Sequence, residues 1–113
     1  MQRDDATLLD MARYAQQILD FSQGMDEAQL ATDTRTQAAI LYHIAVIGEA
    51  VKRLSPAFRS QHPDIPWSDI AGMRDKVIHQ YDRVKLDVVW NTIQQDIPEL
   101  LRLITPLLPT APP

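Results

Sequence analysis

Three side chains of complementary chemistry fall within eight residues of this 113-residue chain: Arg74, His79 and Tyr81, in the run Arg74-Asp75-Lys76-Val77-Ile78-His79-Gln80-Tyr81. A guanidinium is a permanently charged fork of donors suited to phosphoryl oxygens. An imidazole titrates close to neutral pH and can move protons as general acid or base. A phenol can hydrogen-bond a phosphate or shape the pocket around it. Together they suit RNA cleavage without a metal, in which the ribose 2′-hydroxyl attacks the adjacent phosphate. Arginine and histidine five apart recur by chance, so spacing alone does not separate this reading from a structural arginine satisfied at an interface.

A helical wheel constrains how the three could meet. With Ile70 at zero and roughly 100° per residue, Val77 falls at about −20°, Met73 at about −60° and Ile78 at about +80°, which defines a buried face. Arg74 at about +40° and Tyr81 at about +20° fall within that stripe, and a buried arginine requires a partner. His79 falls at about 180°, on the opposite side. Either the helix stops near Ile78 and lets His79 swing back, or a second copy of the chain completes the site. Both arrangements put His79 at a helix C-terminus, where the dipole favours an imidazolium.

The elements that must position this segment read as helices throughout. Glycine is limited to Gly24, Gly48 and Gly72, β-branched alternation is absent, and apolar residues recur every three and four positions. The pattern predicts four main helices plus short ones in a single domain over residues 1–108, followed by a flexible proline-rich tail over 109–113. The first runs from about Asp5 to Ser22 on a stripe of Leu8, Met11, Ala12, Ala15, Ile18 and Leu19, and Gly24 ends it. After a short turn at Asp26 to Leu30, Asp33 and Thr34 offer N-caps for a second helix reaching about Leu54. Its centre, Ala38 to Gly48, is apolar nearly all round, as expected of a helix packed on several sides or covered by a second subunit. Gly48 permits a close helix approach. Ser55-Pro56 reads as a cap and first turn of a brief helix. The third main helix starts near Pro66 and carries the motif. The fourth runs from Lys85–Asp87 to about Leu108 with a kink at Pro98.

Composition narrows the setting. There is no cysteine, which removes disulfides, thiolate nucleophiles and zinc–thiolate sites and makes a reducing cytoplasm the simplest home. The polar start, Met1-Gln2-Arg3-Asp4-Asp5, predicts no signal peptide, and no apolar run reaches membrane-spanning length. A net charge of −4 argues against holding nucleic acid by bulk electrostatics. The distribution is uneven, however: Lys52, Arg53, Arg59, Arg74, Lys76, Arg83 and Lys85 concentrate the positive charge around the motif.

Other candidates divide by context. His43, within the apolar second helix, reads as a core or interface histidine in preference to a second base. Glu49 either holds Arg74 in position or pairs on the surface with Arg53 four residues on. Trp67 and Trp90 read as core anchors. His62 precedes a proline in a loop, and the three histidines make no recognisable metal site. No cofactor is expected.

Arg74-x4-His79-x-Tyr81, preceded by Ile47-Gly48-Glu49-Ala50 and Trp67-Ser68-Asp69-Ile70-Ala71-Gly72-Met73 and followed by Leu86-Asp87-Val88-Val89-Trp90, resembles HEPN-domain proteins of the HepT-like branch, over roughly Asp4 to Leu101. The resemblance implies an all-α helical-bundle homodimer whose two motif segments meet at the dimer cleft. It further implies a ribonuclease toxin, catalytic through Arg74 and His79; Asp75, adjacent to Arg74, and Glu49, on a helix expected to pack near the motif, are the candidates for support. As in HepT/MntA-type (type VII-like) toxin–antitoxin systems, a nucleotidyltransferase antitoxin resembling MntA would add AMP to Tyr81, placing bulk and negative charge beside Arg74. Asp75 stands where many relatives have asparagine, and its carboxylate can pair with Arg74. Gln80 stands where many have glycine. The competing expectation is a non-catalytic helical protein that binds a nucleotide or docks a nucleotidyltransferase.

Overall fold

Apolar residues at helical spacing build the core. In the computed structural model, which describes residues 3–79 and 83–109, helix α1 (Arg3–Ser22) buries Leu8, Met11, Ala15 and Ile18. Helix α3 (Thr34–Arg53) faces it with Ile40, Ile44, Ile47 and Val51. These two 20-residue helices form the main packing pair. The remaining chain closes over them as α4 (Pro56–Gln61), α5 (Trp67–Ala71), α6 (Met73–Val77), α7 (Leu86–Asn91) and α8 (Ile97–Ile104), with α2 (Glu27–Thr32) between the long helices. The architecture is all-α, as the periodicity implies. The only strands among the described residues are two of two residues each, β1 (Ile78–His79) and β2 (Arg83–Val84).

Local chemistry sets the boundaries. Gly24 adopts φ +79° just past α1, a conformation that L side chains rarely tolerate. Asp26 and Gln29 form a reciprocal capping box at α2, with bonds of 2.7 and 2.8 Å. Asp33 caps α3 by accepting from the Thr36 N–H at 3.0 Å. Ser55 caps α4 through the Phe58 N–H, while its own N–H and hydroxyl donate to the Asp4 carboxylate at 2.9 and 2.7 Å. That contact ties the start of α1 to the start of α4, 51 residues away.

Two expected continuous helices are interrupted. The motif-bearing helix divides at Gly72 (φ −91°, ψ 2°) into α5 and α6. The last helix carries a π turn over Thr92–Asp96, in which the Ile97 N–H reaches back to the Thr92 carbonyl. Pro98 then sits in the first turn of α8, where its missing N–H costs little. The irregularity expected at Pro98 thus lies just ahead of it, as a wider turn. A 3₁₀ turn, Thr105–Leu107, ends the helical chain. The proline-rich tail lies outside the described residues from Thr110 onward.

Gly48 makes the close approach its position suggests. A Cβ there would lie 2.9 Å from the Ala71 carbonyl oxygen, so a bare backbone on α3 is what allows α5 to sit against it.

Candidate functional site

The motif begins on α6, whose apolar Met73 and Val77, four residues apart, face the core. Arg74 follows Met73 by roughly 100° of helical turn, which carries it off that face. Its side chain is 49% exposed and its Nη1 lies 3.4 Å from the Asp75 carboxylate. This corrects the wheel that put Arg74 among buried residues: Ile70, Met73 and Val77 bury as the wheel placed them, but Ile78, which widened the face past Arg74, has already left the helix. The exposed guanidinium is open to a phosphate, and its contact with Asp75 is the pairing their adjacency allows. Contacts of this exposed kind contribute about 0–1 kcal/mol.

Helix α6 ends at Val77. Ile78 turns to an extended conformation (φ −114°, ψ 115°) while its N–H still bonds to the Arg74 carbonyl. The backbone then pairs antiparallel with the returning chain, Ile78 opposite Val84 and His79 opposite Arg83, and the Lys85 N–H closes onto the Val77 carbonyl at 2.8 Å. Of the two arrangements open from the wheel, the early helix stop is therefore present within one chain. His79 lies just beyond a helix C-terminus, on a backbone pointing away from the helical path. Tyr81, with Gln80 and Asp82, lies outside the described residues.

The supporting candidates are placed differently. Glu49 is exposed and pairs with Lys52 at 3.2 Å, so neither Arg53 nor Arg74 is its partner among the described residues. His43 is held by two contacts, Nδ1 to the Ala39 carbonyl at 2.7 Å and Nε2 to the Gln17 side-chain oxygen at 2.8 Å. Its ring packs against Tyr14, Phe21 and Tyr42. Both nitrogens are occupied, as suits a structural histidine. Trp67 is 8% exposed and donates its indole N–H to the His62 carbonyl at 3.0 Å, while Trp90 packs half-buried against the core. Both are core anchors.

Of the seven basic residues around the motif, Lys52, Arg53, Arg74, Lys76, Arg83 and Lys85 are exposed and Arg59 is half-buried. Sequence reasoning counted Lys52 and Arg59 in this basic run without giving them a place. The structure sets both on one cleft with Ser60, Trp67, Ser68 and Ala71. The run of positive charge was the available signal; the shared cleft depends on α3, α4 and α5 coming together.

Comparison with known proteins points to one family over most of the chain. The profile of the family described as "Ribonuclease HepT-like" matches residues 11–107. "Putative RNase MJ0125" of Methanocaldococcus jannaschii is 39% identical over 95 residues, covering 84% of this chain and 82% of that one. "Probable ribonuclease HepT" of Thermococcus cleftensis is 39% identical over 93 residues, covering 82% and 84%. "Putative RNase TTE0752" of Caldanaerobacter subterraneus subsp. tengcongensis is 40% identical over 85 residues, covering 75% and 76%. No solved structure matches the chain.

Proposed function

The chain belongs to the HepT-like ribonuclease family, and from that premise we propose that it is the toxin of a type VII-like toxin–antitoxin pair, a metal-independent endoribonuclease acting in the cytoplasm as a homodimer. The observation that carries the catalytic assignment is the end of α6 at Val77, which leaves an exposed Arg74 on the helix and His79 on the extended backbone just beyond it.

In the proposed reaction the ribose 2′-oxygen forms a bond to the adjacent phosphorus and the bond from phosphorus to the 5′-oxygen breaks. The products are a 2′,3′-cyclic phosphate and a free 5′-hydroxyl. The 2′-hydroxyl proton leaves to a base and the departing 5′-oxygen gains one from an acid. His79 serves one of these transfers, and the corresponding residue of a second copy at the dimer cleft is suited to the other. Arg74 stabilises the charge that grows on the non-bridging oxygens. Asp75 tempers the charge of Arg74 by pairing with it.

Control follows from Tyr81. A nucleotidyltransferase antitoxin would transfer AMP from ATP to the phenol oxygen, releasing pyrophosphate. The added phosphate would compete with RNA for Arg74.

The test mixes unmodified protein with RNA in EDTA. Cyclic-phosphate ends that vanish in His79→Ala are expected, and intact RNA after incubation with verified unmodified protein would overturn the enzyme in favour of a docking protein. For control, intact mass after co-expression with the nucleotidyltransferase should show AMP mapping to Tyr81. AMP on another residue, or none with an active partner, defeats that part.

A further inference from the structure

We propose that the cleft between the C-terminal end of α3, helix α4 and helix α5 is a subsite that holds the phosphate backbone of the RNA substrate away from the scissile bond. The proposal rests on the ribonuclease reading above.

The cleft has a volume of roughly 510 Å³, room for a phosphate and part of its sugar, and its lining is selective. Lys52, Arg59, Ser60 and Ser68 supply an ammonium, a guanidinium and two hydroxyls, while Val51, Pro56, Trp67 and Ala71 form an apolar wall. No carboxylate lines it. Three other clefts each carry acid: Asp69, Asp96 and Glu99 beside Lys76 between α5, α6 and α8; Asp10 and Glu49 beside Arg13 and Arg53 between α1 and α3; and Asp33 beside Arg35 at the α2–α3 turn. In a protein of net charge −4, a concavity with only positive charge is a selective place for an anion.

Arg59 supplies a second, independent observation. Its Nε is buried and has no hydrogen-bond partner, and no carboxylate pairs with its guanidinium among the described residues. A buried donor left unsatisfied costs about 1–3 kcal/mol, so the Arg59 side chain gains by turning its fork outward to a phosphate oxygen in the cleft. Lys52 is held by Glu49 at 3.2 Å, but both side chains are largely exposed, so that pair exchanges readily for a phosphate.

The position suits an RNA strand. Ala71 forms the rim of the cleft and Arg74 follows three residues later, so their Cα atoms lie within about 11 Å of each other. A strand passing Arg74 needs to extend only a few nucleotides to set another phosphate between Lys52 and Arg59.

The experiment measures binding of a short RNA oligonucleotide to the His79→Ala protein, which binds without cutting, across a salt series. Lys52→Gln/Arg59→Gln in that background should weaken binding roughly tenfold and reduce the slope of log affinity against log salt by about 1.4, two phosphate contacts at about 0.7 each. Lys52→Arg/Arg59→Lys should restore most of it. Arg35→Gln/Arg102→Gln, equal in charge and outside the cleft, with Arg35 at the opposite end of α3 from Lys52, should keep the slope. Should the glutamine pair unfold, the indole N–H resonance of Trp67 in the His79→Ala protein supplies the readout: RNA should shift it while Trp90 stays in place. RNA binding with an unchanged slope, an equal fall in the remote pair, or an unmoved Trp67 overturns the subsite and leaves the ribonuclease reading standing. Failure of the natural chain to cut and of His79→Ala to bind RNA overturns both.

Discussion

Arg74 and Asp75 share an exposed contact of 3.4 Å, and its weakness has a consequence for catalysis. If Arg74 stabilises the phosphoryl oxygens, Asp75 competes with the substrate for it. Asp75→Asn should therefore raise kcat/KM, by at most about fivefold, since an exposed pair contributes no more than about 1 kcal/mol. A fall in kcat/KM would mean that the carboxylate positions Arg74. Arg74→Ala should lower kcat by about 10² to 10³, the usual loss of one donor to a developing oxyanion. Arg74→Lys should recover only part of it, because an ammonium keeps the charge and loses the planar fork. Of the candidate residues, the chemistry of Arg74, His79 and Tyr81 was legible from their types. The exposure of Arg74 was not, because the wheel stretched the buried face to Ile78, a residue at which the helix has already ended.

Two predictions belong to the elements. Gly48→Ala would place a Cβ 2.9 Å from a backbone carbonyl of α5, and backbone cannot give way as a flexible side chain can. Overpacking of this kind costs about 1–3 kcal/mol, offset by about 1 kcal/mol of improved helix propensity. The net loss, on the order of 1 kcal/mol, should appear as a lower urea midpoint. Because α5 leads directly into the motif, ribonuclease activity should fall further than stability alone explains. The second prediction concerns the tie between α1 and α4. The hydroxyl and then the N–H of Ser55 hold the Asp4 carboxyl below the usual aspartate range. A carboxylate depressed in the folded state stabilises fully above its unfolded pKa and loses that contribution as pH falls through the lower folded value. The difference in melting temperature between the natural chain and Asp4→Asn should therefore be constant near neutrality and shrink below about pH 4. A difference independent of pH down to pH 2 would assign the tie to hydrogen-bond geometry alone.

At the scale of the whole molecule, the described chain measures 42 × 33 × 20 Å, a flat shape that leaves apolar surface uncovered. Tyr42 on α3 is 61% exposed, with Phe21 and Leu9 of α1 also open, so α3, although packed by α1, α5 and α6, keeps part of its apolar circumference uncovered. A second copy would cover such a face, and sedimentation should give about twice the 12.8 kDa chain mass. Tyr42→Glu should shift that equilibrium toward the single chain if the copies meet there. A native mass of one chain at micromolar concentration would count against the dimer and against a site shared between two motif segments.

The helical class, the stripes that became the core, the caps at Asp33 and Ser55 and the stop at Gly24 are legible in the sequence, as is the room for a close approach at Gly48. Each is written in near neighbours along the chain: apolar spacing, a side-chain oxygen next to free N–H groups, the lack of a Cβ. Tertiary packing settles that Gly72 splits the motif helix, that the chain leaves α6 at Val77 to pair with Arg83 and Val84, and that a π turn precedes Pro98. It alone brought Lys52 and Arg59 onto one cleft and Asp4 to Ser55. Those outcomes balance local propensity against contacts between residues distant in sequence, and it is packing, not periodicity, that sets the balance.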